Sequence, residues 1–189
     1  MRALPANACA MANLVAVIAL ATVLAPGTTL ADDPTRAAYV RDHVVVWRIG
    51  WSIWIIAAIT LLWFYAWWRS RIGAPAVALA IAAAGFIADL VAESTLILVA
   101  PDRPEVAPLT FVLTGGVANG CYTVAGILLS RVTTALRGPL VPWTAVMWGC
   151  GLALTVFAVL AIPLGVAAST AALFALFLPW LVVVGRRLA

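Results

Sequence analysis

A chain of 189 residues that is 66% hydrophobic and 10% charged, with a mean hydropathy of +1.13, has too few polar residues to coat a soluble core. Its net charge of +4 does not indicate nucleic acid, because all eleven basic residues are Arg and stand in short clusters between apolar runs. Three cysteines without C-x-x-C spacing and a single histidine, His43, argue against zinc, c-type haem and histidine-rich metal sites, so no cofactor or metal is expected.

Long uncharged runs broken by Arg-bearing turns predict an all-α fold, a polytopic membrane helix bundle of five or six transmembrane helices. Residues 1–31 open with Arg2, hold an apolar core over residues 14–24, break at Pro26-Gly27 and end on the small residue Ala31. That layout describes a secretory signal peptide cleaved after Ala31. The alternative is an uncleaved first transmembrane helix over residues 11–30.

Residues 32–46 read as an external juxtamembrane segment. Asp33 followed by Pro34 suggests an N-cap with proline at the first helical position, opening a short surface helix through Arg36, Tyr39, Arg41, Asp42 and His43. His43 is read as an interfacial histidine; the sharper alternative is a proton-exchanging group at the mouth of a site.

The membrane helix bundle occupies residues 47–189, with spans at about 49–68, 74–100, 109–130, 143–162 and 166–184. Trp47, Trp51 and Trp54 begin the first of these, and Trp63, Trp67 and Trp68 end it, as aromatic belts at two water–lipid boundaries would. A cage for a cationic ligand is the alternative. In the third span Gly116 and Gly120 are spaced as in G-x-x-x-G, which lets a neighbouring helix approach closely. Asn119 between them either glues two helices together or touches a ligand. The last two spans, separated by Pro163-Leu164-Gly165, carry little polar chemistry and read as scaffold or oligomer surface.

The second span holds the two acids of the membrane region, Asp89 and Glu93, four residues apart and so on one helical face. Ionisable groups at that depth face a bundle interior, a partner charge or a cavity. Arg2, Arg69, Arg71, Arg131, Arg137, Arg186 and Arg187 fall on one side of the membrane, cytoplasmic by the positive-inside rule, in a cell-membrane protein with a cytoplasmic C-terminus. Helical rise then puts Glu93 about 12 Å and Asp89 about 18 Å below the outer end of their span, with Asn119 about 16 Å and Tyr122 about 21 Å down the next. Arg48 starts its helix on the same outer side. These five residues are the expected ligand-binding or proton-exchanging group, with Glu93 paired to Arg48 and Asp89 the protonatable, functional acid.

A buried acidic pair suits a cationic or proton-coupled small molecule, bound or transported. Two other readings stand beside it. One is an intramembrane enzyme on a lipophilic substrate, with Asp89 and Glu93 as acid and base; the other is a structural or accessory subunit of a membrane complex. Membrane lipids and an unidentified small molecule are the expected partners, and a homo-oligomer or membrane complex is left open. No Walker loop, nucleophile elbow, H-E-x-x-H or dinucleotide fingerprint is present.

Overall fold

The computed structural model describes residues 3–28 and 32–189, and among these it holds only helices and turns. Six helical stretches are long and apolar enough to cross a membrane: Leu4–Gly27, Val44–Ile72, Ala76–Leu98, Pro104–Val132, Leu140–Val159 and Pro163–Leu188. The chain is an all-α bundle with the architecture of a multi-pass membrane protein.

The first stretch starts as α1 (Leu4–Ala19) and continues through a π-helical segment, Leu20–Leu24, and a 3-10 turn, Ala25–Gly27. It packs against the second and sixth stretches. The fit is close at both ends. A Cβ added at Gly185 would stand 2.5 Å from the Ala6 Cβ, and one at Gly50 would stand 2.7 Å from Leu24 Cδ2. The expected cleavage point after Ala31 lies outside the described residues.

The surface helix α2 spans Asp33–Asp42, and its N-cap is Asp32, one residue earlier than the sequence suggested. The Thr35 amide donates to Asp32 Oδ1 at 2.8 Å, and this bonding to Thr35 holds the exposed carboxyl below the usual carboxylate range. Asp33 instead pairs with Arg36, one turn on. The Tyr39 hydroxyl donates to the Val23 carbonyl, tying α2 to the end of the first stretch. His43 is exposed and stacks on the Tyr39 ring with centroids 4.4 Å apart.

α3 (Val44–Ile72) ends on Gly73, whose φ of +64° gives the left-handed cap that residues with a Cβ avoid. α4 (Ala76–Leu98) returns antiparallel against it. A 3-10 turn, Pro104–Val106, then leads into α5 (Ala107–Val112), a second π-helical segment (Leu113–Ala118) and α6 (Asn119–Val132). α7 (Leu140–Val159) and α8 (Pro163–Leu188) complete the bundle. Arg187 Nη1 reaches the Ala135 carbonyl at 3.2 Å, so the end of α8 lies by the turn between α6 and α7.

The tryptophans depart from the belt reading. Trp47, Trp51 and Trp68 are buried, and only Trp63 of the six stands well exposed. The indole N–H of Trp47 donates to the Leu96 carbonyl at 2.7 Å, and that of Trp68 to Thr133 Oγ1 at 2.9 Å. Large flat rings with one donor each fill space between helices once that donor is satisfied. Trp68 packs with Phe64 and Trp180 into an aromatic core, and Trp180 in turn contacts Trp148 and Phe177.

Candidate functional site

Glycine sets the distance between the two helices that build the site. A Cβ at Gly85 would lie 2.8 Å from the Cys121 Cβ and 3.0 Å from the Ala118 carbonyl oxygen, so α4 and α6 meet nearly backbone to backbone. One turn along α4, Asp89 is therefore brought against the following stretch. Its side chain accepts from the Thr114 hydroxyl at Oδ1 and from the Tyr122 hydroxyl, 3.3 Å away, at Oδ2. Both oxygens are engaged, and the residue is only 7% exposed.

Thr114 and Tyr122 lie eight positions apart on either side of the junction between π-segment and α6, yet both reach the same carboxylate. A π-helical insertion shifts the phase of the residues before it, and that shift lets one strand of helix present both hydroxyls. Tyr122 is further fixed from α3, where the Tyr65 hydroxyl donates 2.8 Å to its carbonyl and the two rings stack.

Asp89 stands on the wall of a partly open cavity of about 390 Å³ lined by residues of all six membrane-spanning stretches. It is the one charged residue among the described residues lining it. Aromatic rings make up much of the rest: Trp51, Trp54 and Tyr65 from α3, Phe111 from α5, Trp148 from α7, Phe174 and Phe177 from α8. Both π-helical segments contribute, through Leu20 and Ala21 in the first and Thr114 and Gly115 in the second. The last two helices are thus walls of the site, not scaffold alone.

Glu93 sits one turn from Asp89 but does not line the cavity. It is 1% exposed, and neither carboxyl oxygen has a hydrogen-bond partner among the described residues. The expected pairing with Arg48 is not formed. Arg48 stays exposed at the end of the bundle, its Nε donating to the Ile97 carbonyl at 3.1 Å. A guanidinium satisfied at the polar boundary avoids the cost of entering an apolar interior.

Asn119 also lines the cavity, but its amide is committed to α7, donating to the Gly151 carbonyl at 2.8 Å and to Thr155 Oγ1 at 2.9 Å. Gly116 and Gly120 flank it and face Val159 and Thr155 at 3.0 and 3.2 Å from their would-be Cβ positions. The glycine pair and the asparagine together dock α7. Of the five residues expected to converge, the structure joins Asp89 and Tyr122, places Glu93 beside them, turns Asn119 toward α7 and leaves Arg48 outside.

Sequence reasoning gave no role to Thr114, Tyr65 or Asn13, all of which line the cavity. Thr114 opens the polar string that runs to Thr123, which was its only signal. Among the described residues, no group of three or more His, Cys, Asp or Glu side chains is placed to hold a metal ion. Comparison with protein families, curated proteins and solved structures finds no match for this chain.

Proposed function

We propose that this membrane protein binds a small lipophilic cation in the cavity, with Asp89 as its counter-charge. The observation that carries this reading is a single carboxylate, among the described residues, on an otherwise uncharged, largely apolar and aromatic-rich wall. Aromatic faces attract cations through their quadrupole, more strongly when water is excluded, and the lone carboxylate supplies the complementary charge. A volume of about 390 Å³ falls in the range of pockets that enclose drug-sized molecules. Binding is the core of the proposal; transport would add an alternation between the two membrane faces. The enzymatic alternative asks two carboxyls to reach one substrate, and Glu93 is off the cavity wall.

The arginine-rich end, with Arg69, Arg71, Arg131, Arg137, Arg186 and Arg187, is proposed to face the cytoplasm of a cell membrane, which leaves the C-terminus inside. The buried fit of Ala6, Cys9 and Leu24 supports a first helix that is retained as a span in preference to a cleaved signal peptide. Intact mass of the purified protein distinguishes the two.

The binding proposal is tested with two ions of the same shape and opposite charge, tetraphenylphosphonium and tetraphenylborate, by equilibrium dialysis against the protein in lipid nanodiscs. Saturable binding of the cation over empty nanodiscs, without saturable binding of the anion, is the expected result. Equal binding of both, or of neither, overturns it.

A further inference from the structure

A second concavity lies on the outer face of the bundle, between α6 and α7 and toward the arginine-rich end. It has a volume of about 370 Å³, close to that of the central cavity, but is built differently. Its floor is small: Ala145 and Gly149 from α7, and a Cβ at Gly149 would meet nothing within 4 Å. Ile127 of α6 and Leu152 of α7 wall it deeper in the span. The groove is therefore open, apolar and long enough to follow the helix axes.

At its shallow end the chemistry changes. Arg131, exposed at the end of α6, lines the groove together with Ser130 and Thr144. The two hydroxyl oxygens already accept indole N–H groups, Ser130 from Trp148 at 2.9 Å and Thr144 from Trp180 at 2.8 Å. Arg131 has no carboxylate within ion-pair distance, since the one ion pair among the described residues joins Arg36 and Asp33. Arg137 and Arg187 stand at the same end, and no acid lies anywhere between residues 106 and 189 to offset them. An apolar slot in the hydrocarbon ending at a guanidinium on the polar boundary matches one class of molecule in both parts.

We propose that this groove is a binding site for an anionic phospholipid, with an acyl chain lying over Gly149 and Ala145 and the phosphate held by Arg131. Guanidinium groups hold phosphate oxygens through paired N–H donors, and basic pockets between membrane helices on the cytoplasmic side recognise anionic headgroups. The surplus of positive charge selects an anionic headgroup over a zwitterionic one. Trp148 is the one described residue that lines both concavities, and the groove proposal does not rest on what the central cavity binds.

The test is native mass spectrometry of the full-length protein in detergent, titrated with phosphatidylglycerol or with phosphatidylcholine of the same acyl chains. The first tight-binding lipid is expected to show a preference of about tenfold for phosphatidylglycerol. Arg131→Gln should remove most of that preference, and Gly149→Leu, which fills the slot, should weaken both lipids. Both positions are exposed, and thermal melting of each variant confirms that the fold is kept. Inorganic phosphate at millimolar concentration is expected to leave lipid binding unchanged. Equal affinity for the two lipids overturns the proposal. So does a preference that survives Arg131→Gln, or lipid binding that Gly149→Leu does not alter or that phosphate displaces.

Discussion

Thr114 donates its hydroxyl to Asp89 from within a π-helical segment, across the interface that Gly85 keeps narrow. The bond couples the irregular stretch of helix to the one charged group among the described residues of the cavity wall, and it makes the geometry of both testable. Thr114→Val keeps the shape and removes the donor. Stability should fall by about 1–3 kcal/mol, the usual cost of leaving a buried polar group without its partner. Thr114→Ser should recover most of it. A double-mutant cycle with Asp89→Leu, which removes both accepting oxygens, isolates the pair, and purely additive losses would show that the two do not interact.

Gly85→Ala asks for space that is not there. The added methyl would press on the Cys121 Cβ and the Ala118 carbonyl, and the latter is backbone that cannot swing away. Overpacking of this kind costs about 1–3 kcal/mol. Cation affinity should fall with it, since Asp89 is carried one turn along the same helix. A variant with unchanged melting and unchanged affinity would mean that α4 and α6 are not held at this distance.

Glu93 is expected to behave opposite to the pattern read from sequence. With Arg48 engaged at Ile97, its carboxyl is buried with no partner among the described residues, and replacement by an apolar side chain of similar length removes a desolvated polar group. Glu93→Met should raise the melting midpoint in detergent, by the equivalent of about 1–4 kcal/mol if the gain resembles that seen when buried ionic groups are replaced by well-packed apolar ones. A marked loss of folded protein would instead reveal a partner for the carboxylate.

Asp32 sets the pH response of the surface helix. Its carboxyl is held below the ordinary carboxylate range by the bonds to Thr35, so the cap is at full strength above the unfolded value and is lost as pH falls through the lower, folded one. The protection factor of the Thr35 amide, its exchange rate referred to the intrinsic rate at each pH, should therefore fall on acidification in the native protein. Asp32→Asn keeps an accepting oxygen and should flatten that dependence. An unchanged acid response in the variant would assign the effect to another group.

The sequence made the fold legible because hydrocarbon leaves little choice. Runs of about twenty apolar residues between arginines must become helices. Asp89 and Tyr122 were legible for a related reason, since polar side chains at matching depth in neighbouring helices turn toward one another. Other features depended on facts that spacing does not carry. Thr114 reaches Asp89 only because a π-helical segment alters the phase of its helix. Arg48 could extend along α3 toward Glu93, and nothing in its position said that the Ile97 carbonyl would take it first. The tryptophans misled because flanking position resembles a lipid boundary, while Trp47 and Trp68 instead find acceptors inside, on Leu96 and Thr133.

The central claim is that Asp89 is the counter-charge for a cation in the cavity. Isothermal titration of tetraphenylphosphonium into the native protein and into Asp89→Asn, both in nanodiscs and both checked for intact melting, tests it most directly. The account predicts saturable binding in the native protein and at least about a tenfold loss of affinity in the variant, a difference of about 1.4 kcal/mol or more. Affinity that is the same in Asp89→Asn as in the native protein would contradict it.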